Sequence, residues 1–272
     1  LEAYLVLGDQ GFDRGALDEA ERYYQRVLAA PASHVHGLAA YKLGWVRINR
    51  FDCKGAVRLF EEILKDSKNT GKQTTALVTQ KSMDLSREAL VDLAYCYPEV
   101  AKGDEPAVPY FQRLAHASSD YMAAMKRLGS RFFLKQQYAQ AAGAWRELLR
   151  MQPVGDDGVE TVRKLYDAIT KGEVFDHPAE DVGRVARVYE ERKFDIRIAD
   201  DKRKKLEEEL EIYARDIATK AHVAAKKTGS EAAHGRVADA YEVYLGTFGT
   251  AAKSNELAEN RAEALASAGR LY

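Results

Sequence analysis

The chain of 272 residues carries 41 Lys and Arg against 42 Asp and Glu, for a formal net charge of −1, with 19 Gly and 6 Pro. That balance speaks against a nucleic-acid partner, which needs a basic excess or one concentrated basic face, and no apolar run reaches the roughly 18 residues of a membrane span. Abundant Ala, Leu, Glu, Lys and Arg favour helices and starve strands.

The first segment, LEAYLVLGDQGFDRGALDEAERYYQRVLAAP, predicts two helices. Tyr4, Leu7 and Gly8 share a face of the first, and Ala16, Ala20, Tyr24 and Val27 share a face of the second. Gly15 breaks the chain between them and Pro31 ends the second helix. A second unit, YKLGWVRINRFDCKGAVRLFEEIL, follows with Phe51 where the first unit has Gly15 and Cys53 where the fourth has the aromatic Tyr138. Cys53 and Cys96 are the two cysteines, both at inward positions. Buried free thiols are the expectation, since core cysteines behave as small hydrophobes. A disulfide requires Cα atoms within about 7 Å.

Next comes DSKNTGKQTTALVTQKSMD, a polar insert at 67–84 that reads as a surface loop. A third unit has Leu93, Ala107 and Phe111, with Pro98 distorting its turn. The fourth has Leu128, Gly129, Phe132, Tyr138, Ala141, Trp145, Leu148 and Pro153. The same triplet thus recurs: Leu7, Ala20, Tyr24; Leu43, Ala56, Phe60; Leu128, Ala141, Trp145; and, with one residue inserted, the third unit's. A leucine is followed each time by a small residue: Gly8, Gly44, Ala94 and Gly129. Such self-similarity means that each hairpin buries its apolar face against its neighbours.

Residues 1–153 therefore read as four hairpins and 154–272 as divergent helical repeats. In the latter, helices are expected at about 159–170, 179–191 and 201–227. The long third helix has Leu206, Leu210, Ile217 and Ala221 along one stripe. Its Lys202–Lys205 block before Glu207–Glu209 reads as a solvated face with ion pairs. A closing unpaired helix from NELAENRAEALASAGRLY is expected to expose an apolar face, as in a fragment of a longer array.

These hairpins resemble the tetratricopeptide repeat family, through Tyr4, Leu7, Gly8, Gly15, Ala20, Tyr24, Val27 and their counterparts in the later units. The resemblance implies an all-α, right-handed α-solenoid of stacked helical hairpins, with a concave groove that takes a protein or peptide segment. Its groove positions map to Leu5, Asp9, Tyr41, Lys42, Trp45, Asn49, Asp92, Tyr95, Lys126, Arg127 and Ser130. Leu5 and Asp9 do not supply the Lys/Asn pair of family members that clamp a peptide's terminal carboxylate. Tyr41, Trp45 and Tyr95 are the expected anchors of an extended or helical segment.

No catalytic residue, metal ligand or cofactor motif is assigned. His34 and His36 lack further ligands at metal-binding spacing, and no nucleophile elbow or phosphate-cradling loop occurs. The expected function is a non-catalytic interaction scaffold. The YKLGW-type second unit is similar to repeat proteins of the bacterial cell envelope, which implies the periplasm or envelope, with the cytoplasm as the alternative location. The other functions weighed are a helical-repeat cell-wall polysaccharide hydrolase, which needs paired carboxylates in one cleft, and an RNA-binding helical repeat, which needs a basic groove.

Overall fold

The computed structural model describes residues 1–65, 72–73, 83–101, 106–151, 156–250 and 254–270. Most of the insert expected at 67–84 lies outside the described residues, as does Pro153. Thirteen helices and one two-residue ladder form the regular structure among them, and the protein is all-α. In the first part, α1 (Glu2–Asp13), α2 (Leu17–Leu28), α3 (His36–Asn49), α4 (Cys53–Lys65) and α5 (Leu85–Val100) pack as successive neighbours. Between α4 and α5, β1 (Lys72–Gln73) pairs antiparallel with β2 (Met83–Asp84). There follow α6 (Ala107–Leu114), α7 (Ser118–Leu134), α8 (Tyr138–Met151) and α9 (Asp156–Gly172). The last four are α10 (Pro178–Arg192), α11 (Asp200–Thr228), α12 (Glu231–Phe248) and α13 (Ser254–Ser267). The chain divides into two compact units, Leu1–Phe132 and Phe133–Tyr272, with the division inside α7.

In the first unit, the second helix of a hairpin buries one stripe. Ala20, Tyr24 and Val27 do so in α2, and Cys53, Ala56, Phe60 and Ile63 in α4. The aromatic of each stripe lies against the glycine of the preceding helix. A Cβ on Gly8 would strike the Tyr24 ring and one on Gly44 the Phe60 ring, so a larger residue at either position has no room. The aromatic therefore packs back into its own hairpin. Tyr24 and Ala20 share one core cluster with Ala39, Leu43 and Val46 of α3. Burying each such ring contributes about 1.5–3 kcal/mol.

Leu7 departs from this register. It is 37% exposed, whereas Leu43, Leu93 and Leu128 are buried. Leu43 belongs to the core cluster built on Ala20, Tyr24 and Val27 of α2, and Leu7 does not. The inward stripe of α1 is instead Leu5, Gly8 and Gly11.

The turns after α1, α3 and α7 share one backbone device. Gly15, Phe51 and Gln136, each eight residues beyond the repeat leucine, adopt positive φ of 74°, 60° and 59°. Glu173 does the same (50°) between α9 and α10. A left-handed residue closes a helix end and reverses the chain. Glycine does so without strain, and phenylalanine does not.

The free thiols expected at Cys53 and Cys96 are not found. The two residues form a disulfide, with Cα atoms 5.1 Å apart, joining the first residue of α4 to the buried side of α5. Close packing of α4 on α5 brings the two backbones within bonding range.

In the second unit, α11 buries Leu210, Ala214, Ile217, Ala218, Ala221 and Ala225, while Leu206 is half-buried. Gly229 in the left-handed conformation ends α11, and the Ser230 side chain caps α12 by accepting from the Ala233 N–H. The buried Asp181 carboxylate of α10 accepts two hydrogen bonds from Arg146 of α8 and one from Arg184. Helix α13 packs along α12 through buried Leu257 and Ala264, and Arg270 reaches Asp239 at 2.7 Å. Its outward positions are Asn, Ala, Glu and Ser, so it exposes no large apolar side chain among the described residues.

Candidate functional site

Polar contacts link α1 to α3, α3 to α5 and α5 to α7 within the first unit, and most of the groove positions take part in them. Asp9 of α1 accepts from the Tyr24 hydroxyl at 2.7 Å and pairs with the Lys42 ammonium of α3 at 2.9 Å. Asp92 of α5 is 7% exposed and accepts from the Tyr41 hydroxyl at 2.6 Å and from the Trp45 indole N–H at 3.0 Å. The Asn49 amide donates to the Trp45 carbonyl at 2.8 Å. Arg131 of α7 lies over the Tyr95 ring at 4.0 Å, donates to the Tyr95 carbonyl and pairs with Glu99. Arg127 lies over the same ring at 5.4 Å. Lys126 is exposed, and its carbonyl accepts from the Ser130 hydroxyl.

Leu5 does not belong to this face. It is fully buried in the first hairpin's core, because the inward stripe of α1 runs through Leu5 and Gly8 instead of Leu7 and Gly8. Three further residues join the site: Phe12 and Asp13, one turn beyond Asp9, and Tyr24. The i, i+3 and i+4 spacing from Asp9 was the available sign for the first two. The spacing of Tyr24 places it in the core, and its ring also borders a pocket of about 330 Å³ shared with Asp9, Phe12, Asp13, Tyr41, Lys42 and Trp45.

The electrostatics follow from burial. Burial pushes the Asp92 carboxyl up, while the Tyr41 and Trp45 donors and the nearby Arg127 charge oppose that. Burial first, then the bonds to Asp92 and Asp9, push the Tyr41 and Tyr24 phenols far up. Both phenols are therefore hydrogen-bond donors throughout the physiological range. Asp13 is exposed and makes no ion pair or side-chain hydrogen bond among the described residues. Among the described residues, no group of three or more His, Cys, Asp or Glu is placed to hold a metal ion.

Compared with known proteins, the chain matches no family model and no curated protein. Among the described residues, no helix is long and apolar enough to cross a membrane.

Proposed function

We propose that this chain is a non-catalytic tetratricopeptide-like scaffold, a right-handed solenoid of hairpins that holds a protein segment on the face formed by α1, α3, α5 and α7. The observation that carries this reading is the pinning of Tyr41 and Trp45 to the buried Asp92. Two half-buried aromatic side chains are held in one geometry before any partner arrives, and such preorganisation lowers the entropic cost of binding. Tyr95, flanked by Arg127 and Arg131, extends the same aromatic and cationic character to α7. The mixed charge of this face favours a protein segment over RNA, which calls for a basic groove.

An extracytoplasmic setting, the periplasm or cell envelope, is supported by the Cys53–Cys96 disulfide, since such bonds persist in oxidising compartments.

The test is capture of the binding partner by the wild-type chain and by a Tyr41→Ala, Trp45→Ala double variant whose helices are verified by circular dichroism. Anchoring aromatics typically cost at least about 2 kcal/mol on truncation, roughly thirtyfold in affinity. Equal affinity of the folded double variant would place the interface elsewhere.

A further inference from the structure

Resting on that groove reading, we propose that the pocket between α1 and α3 receives a cationic side chain, lysine or arginine, from the bound segment. The lining includes four aromatic side chains, of which Phe12, Tyr41 and Trp45 are half-buried and offer ring surface, while Tyr24 is 1% exposed and backs the pocket from the core. Three of these have their polar atoms committed: Tyr24 to Asp9, and Tyr41 and Trp45 to Asp92. What remains for a guest is ring surface, which attracts a cation through its quadrupole.

The charges select among guests. Asp9 and Asp13 outnumber Lys42 on the lining, and Asp92 stands directly behind Tyr41 and Trp45. An anionic guest would meet two carboxylates on the lining, Asp9 and Asp13, with Asp92 behind the rings. A neutral apolar guest would cover Asp13 without pairing it, at a desolvation cost. A cation meets the rings and Asp13 together, so the same lining that attracts it rejects the alternatives. Lys42, paired with Asp9 at 2.9 Å and a quarter exposed, is a resident cation in this pocket. A guest cation therefore competes with Lys42 for Asp9.

The experiment uses blocked alanine pentapeptides carrying lysine, arginine, norleucine or glutamate at the centre. The chain has two tryptophans, so the Trp45 indole N–H is one of two resolvable signals in a nitrogen-15 correlation spectrum. Lysine and arginine peptides are expected to move it saturably, and norleucine and glutamate peptides to leave it in place. Asp13→Asn, at an exposed position, should weaken the lysine peptide about twofold to fivefold. Lys42→Met, which removes the internal competitor, should tighten it by a similar factor, and circular dichroism checks that both variants fold. A norleucine peptide binding as well as lysine, or no shift with any peptide, overturns the cationic assignment. So does weaker lysine binding in a folded Lys42→Met variant. Failure of the wider groove reading is seen separately, in the partner affinity of the Tyr41 and Trp45 double variant.

Discussion

Phe51 shows how much a single residue can conceal. Its position is the counterpart of Gly15, and the departure from glycine was plain in the sequence, but the backbone consequence was not. The chain keeps the left-handed turn and holds a phenylalanine at φ 60° with its side chain 93% exposed. A left-handed L-residue costs roughly 1–2 kcal/mol, part of which glycine returns through its greater freedom in the unfolded chain. Phe51→Gly is therefore expected to stabilise the first unit by about 0.5–1 kcal/mol in urea denaturation. A lower midpoint would mean that the ring makes a contact worth more than the strain. His222 is the opposite case, a polar side chain that the structure buries on α11. Its Nδ1 lies 3.2 Å from the Tyr241 hydroxyl, and its ring sits edge-on to that of His234. Burial, then the Lys226 charge, lowers it below its ordinary value of 6.5, against the pull of Glu263 and with a further push from His234. The unfolded chain thus binds a proton that the folded chain refuses. Stability of the second unit is full above about pH 6.5 and falls as the pH drops from there toward the lowered folded value. Melts at pH 7.5 and 5.5 should show this loss, and His222→Gln should reduce it; an unchanged pH dependence in the variant would place the cause elsewhere.

At the scale of elements, helical periodicity carried most of the fold. The long helix expected at 201–227 runs Asp200–Thr228, and those expected at 159–170 and 179–191 run Asp156–Gly172 and Pro178–Arg192. Periodicity locates a stripe, but it leaves open which of two adjacent residues points inward when both are apolar. That is how Leu5 and Leu7 exchanged places on α1. The disulfide was illegible for a related reason. Both cysteines fit a buried stripe, and only the approach of α4 to α5 decides whether their sulfurs meet. Because it closes a separation of 43 residues, this crosslink restricts the unfolded chain substantially. Replacing both Cys53 and Cys96 by serine is expected to cost about 2–4 kcal/mol in chemical denaturation. An unchanged midpoint would show that helix packing alone fixes this region.

For the molecule as a whole, composition excluded more than it identified. A net charge of −1 hides a surface rich in pairs that cross between helices, such as Arg163 with Glu209 and Lys226 with Glu263. Exposed pairs of this kind contribute little individually, so the buried stripes and the disulfide bear most of the stability. The candidate site was legible as a row of positions, but its chemistry was not, because pairing partners such as Asp92 with Tyr41 lie 51 residues apart in the chain. The disulfide also alters the covalent map of the protein. Every residue from 54 to 95 lies inside a closed ring. A protease that cuts the chain once within that ring opens it into a branched molecule without releasing either piece, and the two parts separate on a gel only after reduction. The hairpins on either side of the insert can thus share one covalent body even when the peptide backbone between them has been severed.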